Sequence, residues 1–301
     1  MIDYIIISLA VVCFALQFAF TKLYEGAVKQ TTLTALIMLI ETSLIGTVLF
    51  LLVGGFSVQI SVSSLIYAAI FATVMIPYYM IGIKVLSLGS LAIYSMFMML
   101  GGMLVPFFYG VWFLNESLSV SKIIGTVLLC LFIIVQSLSQ NSGENRSENK
   151  KSILFITLCL LIFFINGATG VIAKAHQISS SPVDEISFTV ISCALTAIFS
   201  ALMLPFFCLK NKDEPFFQIK SVLKTKPIII MSMIGAAAYT GNFLHLKAAS
   251  AVPASVQFPL VSGGVIVLSA LVSAFIFKEK LSLKEWISVI GVCASTVLFA
   301  F

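Results

Sequence analysis

Apolar stretches of roughly 20 residues recur along the whole chain, separated by short polar breaks. The hydrocarbon core of a bilayer is about 30 Å thick, so about 20 apolar residues in a helix cross it. Hydrophobic residues make up 60 % of the 301 residues and charged residues only 10 %, whereas charged residues are about 25 % of a typical soluble domain. The sequence therefore predicts an all-α integral membrane protein that crosses the lipid bilayer several times.

The apolar stretches predict ten transmembrane helices in two sets of five. Their approximate bounds are 4–21, 33–53, 62–83, 90–114, 121–138, 153–173, 184–209, 227–246, 253–277 and 283–301. The first stretch lacks a positively charged segment and a cleavage site, so we predict a retained helix instead of a signal peptide. The hydrophilic segment QNSGENRSENKK predicts a linker at 140–151 between two five-helix repeats, 1–139 and 152–301.

The two halves repeat the same residue patterns in the same order. Each half has a lysine seven residues after a small residue in its first helix, K-x-x-S after its third helix, and then a glycine pair followed by a lone glutamate. The residues are Ala15, Lys22, Lys84, Ser87, Gly101, Gly102 and Glu116 in the first half, and Gly167, Lys174, Lys247, Ser250, Gly263, Gly264 and Glu279 in the second. Because five is an odd number, the second half enters the membrane from the opposite side, which predicts inverted repeats.

Basic residues lie mostly on one side of the predicted topology. Of the 17 Lys and Arg residues, all but Lys122, Lys174 and Lys247 lie in the loops after the odd-numbered spans or at the ends of these loops. Cytoplasmic loops carry an excess of Lys and Arg, so we predict that these loops are cytoplasmic and that both termini are extracytoplasmic. One of these loops contains DEPFFQIKSVLKTKP, whose apolar spacing fits either a short helix on the membrane surface or a solvated connector.

These patterns resemble the EamA family of the drug/metabolite transporter superfamily. The resemblance is carried by the small residue and lysine of the first helix, the K-x-x-S exit, and the fourth helix that ends in E-x-L-S ahead of a glycine-containing fifth helix. It implies ten helices in two inverted five-helix repeats, a central cavity lined by helices three, four, eight and nine, and alternating access without ATP hydrolysis. The chain departs from the family in having no Lys or Arg near the start of helices two and seven.

The chain contains no motif of a familiar enzyme class. Walker, HExxH and GxSxG patterns do not occur, so we expect neither enzymatic activity nor a cofactor. The six cysteines lie in or beside apolar stretches without CxxC spacing, which favours packing roles and no metal site. The net charge of +5 arises from loops beside the spans, which indicates membrane orientation and anionic lipid, and no nucleic-acid partner.

Glu41 lies within the second apolar stretch, in TALIMLIETSLIG. A carboxylate that faces lipid costs about 2.5–3.5 kcal/mol, so we expect Glu41 to face protein or water. No lysine or arginine of the neighbouring apolar sequence is available to pair with it. Glu41 is therefore a candidate for proton coupling or cation binding, and the alternative is a protonated side chain that hydrogen-bonds to a neighbouring helix.

Polar and aromatic side chains occur in several predicted spans. The candidates for substrate binding are Gln17, Tyr78, Tyr79, Tyr94, Asn166, Tyr239, Asn242 and Gln257. Tyr239, Asn242 and His245 follow one another at spacings of three, on one side of a helix. Together these residues predict a pocket near the membrane midplane. For each residue alone, an interhelical hydrogen bond worth about 1 kcal/mol is the alternative, and for His245 we expect a structural or interfacial role.

Prolines, glycines and glutamates mark special positions in the spans. Pro253 and Pro259 flank Gln257 in the ninth span and are candidates for a gate hinge, with a static bend as the alternative. The glycine pairs indicate close helix contact. Glu116 and Glu279 lie at membrane boundaries, where we predict that each caps the turn into the next helix.

The sequence as a whole predicts a secondary active transporter in the cytoplasmic membrane. Its predicted substrate is a small organic metabolite, such as an amino acid, exported by alternating access with protons as the candidate coupling ion. A second hypothesis is an organic-cation transporter in which tyrosine rings bind a quaternary amine or drug and Glu41 balances its charge. A third is a membrane scaffold that has no substrate. The sequence leaves the oligomeric state open.

Overall fold

Eleven α-helices make up the part of the chain that the structure describes. The computed structural model describes residues 2–29, 31–86, 88, 91–140, 149–210, 215–276, 278 and 283–298. The helices are α1 (Ile2–Glu25), α2 (Thr32–Val53), α3 (Val62–Leu86), α4 (Leu91–Phe113), α5 (Val120–Gln140), α6 (Asn149–Gln177), α7 (Glu185–Lys210), α8 (Pro215–Val222), α9 (Thr225–Ala249), α10 (Ala254–Phe275) and α11 (Leu283–Val297). The predicted all-α class is confirmed, and each predicted apolar stretch overlaps one of these helices.

Among the residues that the structure describes, seven helices contain a segment long and apolar enough to cross a membrane. They are α1, α2, α3, α6, α7, α9 and α10. The apolar stretches described within α4, α5 and α11 are shorter, at Phe97–Phe113, Val120–Val135 and Trp286–Thr296. Large apolar side chains such as Leu202 and Ile290 are exposed, as lipid-facing surfaces require. These are the features of a multi-pass membrane protein, in which α8 is a short helix in the basic loop after α7.

The linker predicted at 140–151 is helical at both of its described ends. Gln140 is the last residue of α5, and α6 begins at Asn149. The residues between these two helices lie outside the described part of the chain. The helical segments on either side of the hydrophilic sequence are therefore longer than the apolar pattern indicated.

Helices of the first half pack mainly against helices of the second half. α1 packs against α9 and α10, while α6 packs against α3 and α4. α2 packs against α7, α4 against α10, and α5 against α11. The two halves are therefore interleaved, and the interior of the protein lies between them.

The glycine pairs lie at close helix contacts, as predicted. A Cβ atom at Gly101 of α4 would overlap the carbonyl oxygen of Phe163 in α6. A Cβ atom at Gly167 of α6 would overlap the Cβ atom of Val105 in α4. The second glycine pair approaches α11 and α1 in the same way. Small residues allow this approach, which is how helices associate without a hydrophobic driving force in lipid.

We predict that Gly101→Ala lowers the thermal stability of the purified protein. The added methyl group would overlap the backbone of α6, and overpacking of this kind costs about 1–3 kcal/mol. Gly26→Ala is the matched control, since a Cβ atom there meets nothing closer than 3.6 Å. Thermal unfolding of both variants in one detergent tests the prediction, and equal melting temperatures would show that α4 and α6 are not in backbone contact.

Candidate functional site

A cavity of about 260 Å³ lies among the described helices. Residues of α1 to α4 and of α6, α7, α9 and α10 line it, so both halves of the chain contribute to its wall. Most of the wall is apolar or aromatic. Six of the eight predicted substrate-binding residues line the cavity: Gln17, Tyr78, Tyr79, Asn166, Tyr239 and Asn242. The fold therefore brings together side chains that are far apart in the sequence.

Aromatic and sulfur-containing side chains form the part of the cavity beside α3 and α4. The rings of Tyr78 and Tyr79 meet edge to face, with centroids 5.5 Å apart. The Tyr78 hydroxyl donates a hydrogen bond to the Met98 sulfur at 3.1 Å. Nδ2 of Asn166 donates to the Met98 carbonyl oxygen at 2.7 Å. Met98 thus connects α3, α4 and α6 at what we call the aromatic end of the cavity.

Tyr239 connects α9 to α2 beside the cavity. Its hydroxyl is hydrogen-bonded to the Ser43 hydroxyl at 2.8 Å, and its ring lies so close to Gly46 that a Cβ atom there would be 2.6 Å from Cδ2. Asn242 lies almost one turn further along α9 and donates to the Ala238 carbonyl of its own helix at 2.9 Å. Asn242 is exposed and lines the cavity, so a solute could reach its amide.

Gln257 does not line the described cavity. Its side chain is fully buried, and its Nε2 donates to the carbonyl oxygen of His245. This hydrogen bond connects α10 to α9, which corresponds to the interhelical hydrogen bond given above as the alternative to substrate binding. The Tyr94 side chain, near the start of α4, lies outside the described residues.

His245 lies four residues before the end of α9 and lines the cavity. Its ring meets the rings of Phe14 and Phe258 edge to face, with centroid distances of 6.2 and 4.8 Å. The helix continues to Ala249, so His245 lies within it and not at its boundary.

Glu41 does not line the described cavity. Its Oε1 accepts a hydrogen bond from the Ser232 hydroxyl of α9 at 3.4 Å, and Tyr24 of α1 is close enough to interact with it electrostatically. The side chain is half-buried. Glu41 therefore lies where α1, α2 and α9 meet, and it does not share the cavity with the tyrosines of the aromatic end.

The two prolines of the ninth predicted span have different places in the structure. Pro253 precedes α10 at the N-cap position, whereas Pro259 lies inside the helix and is buried. A proline at the start of a helix removes no intrahelical hydrogen bond. Pro253 therefore cannot bend α10 from within, whereas Pro259 can.

Lys174 is a cavity residue that the sequence analysis missed. The predicted span ends at residue 173, just before Lys174, but α6 continues to Gln177, and Lys174 is only 6 % exposed. Its ammonium group donates to the carbonyl oxygens of Ala249 and, at 3.0 Å, of Val252. The spacing of Asn166, Gly170 and Lys174 was the available signal, since residues four apart lie on one helix face.

Glu116 caps a helix of the other half of the chain. Its carboxylate oxygens accept hydrogen bonds from the backbone amides of Ala254 and Ser255, at 2.7 and 2.8 Å. These residues begin α10, whose first amides lack partners within the helix and attract negative charge. A capping role was predicted, but the prediction of the next helix, α5, as its target is wrong. Glu279 lies outside the described residues.

Comparisons with known proteins support the fold more than any activity. No family model matches the chain. Over 131 residues, or 42 % of the chain, it is 30 % identical to "Protein CLT3, chloroplastic" of Arabidopsis thaliana, and the match covers 28 % of that protein. A solved crystal structure matches with a TM-score of 0.69 at 16 % identity, covering 98 % of this chain and 95 % of the other. This likeness shows a shared fold over nearly the whole chain.

We predict that Glu116→Ala lowers the melting temperature, because both hydrogen bonds to the start of α10 are lost. Loss of a helix cap costs about 0.5–2 kcal/mol. Glu116→Gln keeps one acceptor oxygen and should melt between the alanine variant and the unmodified protein. Ser117→Ala changes the exposed neighbouring residue and is the control. If Glu116→Ala unfolds at the same temperature as that control, Glu116 does not stabilise α10.

Proposed function

We propose that the protein is a secondary active transporter of the EamA type, within the drug/metabolite transporter superfamily. The observation that carries the proposal is the cavity between the two halves, with its apolar wall and a few polar groups from different helices. Such a composition is typical of sites for small organic molecules. The proposed substrate is a small organic metabolite, such as an amino acid, and export across the cytoplasmic membrane is proposed on the sequence resemblance.

The packing of the helices supports two inverted repeats, 1–139 and 152–301. When α1 to α5 are matched in order to α6, α7, α9, α10 and α11, the contacts of α1 with α9 and α10 correspond to those of α6 with α3 and α4. The contacts between α2 and α7, α4 and α10, and α5 and α11 each join two matched helices, so exchanging the halves leaves these pairs unchanged. A pseudo-two-fold axis produces this exchange, and rocking of one half against the other would open the cavity alternately to each side.

The distribution of basic residues supports one orientation of these repeats. The loops after α1, α3, α5, α7 and α10 carry most of the lysines, and such loops face the cytoplasm in most membrane proteins. We therefore propose that both termini lie outside the cytoplasm. In this orientation, Glu116 and Lys174 lie toward the extracytoplasmic side.

Glu41 is the proposed proton-coupling residue. It is half-buried between α2 of the first half and α9 of the second, beside Ser232 and Tyr24. Movement between the halves would change the solvation and the hydrogen bonds of its carboxyl group. A carboxyl group whose surroundings alternate in this way can bind a proton in one state and release it in the other.

The two other hypotheses receive less support from the geometry. For an organic cation, the tyrosines of the aromatic end are available, but Glu41 does not line the described cavity and Lys174 does. A cationic solute would therefore meet a like charge. For a scaffold without a substrate, a cavity lined by polar groups from both halves has no evident use.

A panel of metabolites tests the transporter proposal. We expect at least one organic solute to raise the melting temperature of the purified protein, and the same solute to be transported by proteoliposomes. Accumulation driven by an imposed pH gradient should be lost in Glu41→Gln, because the amide cannot carry a proton, while exchange of labelled for unlabelled solute persists. Glu185→Gln, at the start of α7, is the matched control.

Two results would count against the proposal. If no solute of the panel shifts the melting temperature or is transported, the cavity is not a substrate site. If Glu41→Gln accumulates solute as well as Glu185→Gln does, Glu41 has a structural role and coupling occurs elsewhere.

A further inference from the structure

We propose that Lys174 and His245 form a subsite for the carboxylate group of the transported solute. The subsite lies at the end of the cavity beside the turn between α9 and α10, at residues 250–253. The proposal rests on the transporter function proposed above and names the class of its substrate. That class is a small monocarboxylate whose other end is apolar or aromatic.

Lys174 gives the described cavity wall a positive charge that no acidic side chain of the same wall balances. Because it is only 6 % exposed, water screens this charge weakly. Glu116 interacts with Lys174 electrostatically, but its two oxygens accept hydrogen bonds from the amides of Ala254 and Ser255. A cleft with charge of one sign and low-dielectric walls concentrates solutes of the opposite charge.

Hydrogen-bond donors are available at this end of the cavity. A lysine ammonium has three N–H groups, and two of those of Lys174 donate to the carbonyl oxygens of Ala249 and Val252. Within the described part of the chain, Nε2 of His245 is buried without a hydrogen-bond partner. Both groups line the cavity beside the same turn, since Lys174 binds the carbonyl oxygens of Ala249 and Val252, and His245 lies four residues before Ala249 in α9.

A carboxylate would satisfy both groups at once. Its two oxygens are acceptors, so one can accept from the third N–H of Lys174 and the other from an N–H at Nε2 of His245. A buried polar atom without a partner is unfavourable, and binding of the solute would remove that penalty. The single ammonium group balances one negative charge, whereas the second charge of a phosphate ester would have no counter-ion in the described wall.

The part of the cavity beyond Lys174 determines which group the solute can carry at its other end. Asn166 and Lys174 lie on the same face of α6, eight residues and therefore about 12 Å apart. Asn166 and Tyr78 both bond to Met98 at the aromatic end. A solute with its carboxylate at Lys174 would thus extend along α6 toward aromatic and thioether side chains, which favour an apolar or aromatic group.

Three probes of equal length test the charge preference directly. They are 3-phenylpropionate, its uncharged amide 3-phenylpropanamide, and the cation 3-phenylpropylammonium. Binding to the full-length protein in detergent is measured by titration calorimetry and by the shift in melting temperature. We expect the carboxylate to bind at least about tenfold more tightly than the amide, which corresponds to one charge-assisted hydrogen bond, and the cation to bind most weakly.

Variants of Lys174 assign the preference to this residue. Lys174→Gln keeps N–H groups for the carbonyl oxygens of the turn but removes the charge, so the carboxylate and the amide should bind within about threefold of each other. Lys174→Arg keeps the charge and should keep the preference. Lys247→Gln removes an exposed lysine at the same end of α9 and is the matched control, with unchanged binding of all three probes.

The outcomes separate this proposal from the transporter function. Equal affinity of the unmodified protein for the carboxylate and the amide contradicts the subsite, and this comparison stands even if Lys174→Gln does not fold. A preference that persists in folded Lys174→Gln also contradicts it, because the anion would then bind elsewhere. Binding of panel solutes without preference for carboxylates overturns only the subsite, whereas absence of binding by the panel and all three probes overturns both proposals.

Discussion

Polar groups within apolar helices have no bulk water to bind, so the protein itself must supply their partners. At the turn between α9 and α10, side chains from distant parts of the chain supply partners for the backbone groups. Lys174 of α6 binds the carbonyl oxygens of the turn, and Glu116 binds the first amides of α10. Gln257 binds a carbonyl oxygen of α9. An ammonium group thus donates hydrogen bonds to the carbonyl oxygens, and a carboxylate accepts hydrogen bonds from the amides, that a break between two helices leaves unpaired.

The turn between α9 and α10 also connects the two halves of the chain beside the cavity. Glu116 belongs to the first half, whereas Lys174 and the turn itself belong to the second. Lys174 and His245 both line the cavity beside this turn. The same charges that hold the turn in place therefore give one end of the cavity its electrostatic character. At the opposite end, Met98 is the shared partner of Tyr78 and Asn166, so the cavity has a basic end and an aromatic end.

The course of the helices was largely predictable, because the length and apolarity of a segment decide whether it can form a spanning helix. The exceptions arose where charged residues were treated as helix ends. Lys174 lies inside α6 because the carbonyl oxygens of Ala249 and Val252 accept hydrogen bonds from its ammonium group there, and a sequence does not display such distant partners. The same reason explains Glu116, whose capping role was predictable from its chemistry while its target, α10, was not. The position of the turn likewise decides that Pro253 precedes α10 and that Gln257 reaches a carbonyl oxygen of α9.

The sequence by itself determined that the chain forms apolar helices, approximately where they begin and end, and which polar side chains they carry. These properties depend on local composition and on spacing along the chain. Only the tertiary structure decided that Gln17, Tyr78, Asn166 and Tyr239 share one cavity, that Glu41 lies outside it, and that Lys174 lies within it. In an apolar surrounding, helix partners are selected by close contact of small residues such as Gly101 and Gly167, and such contacts depend on the shapes of both surfaces at once.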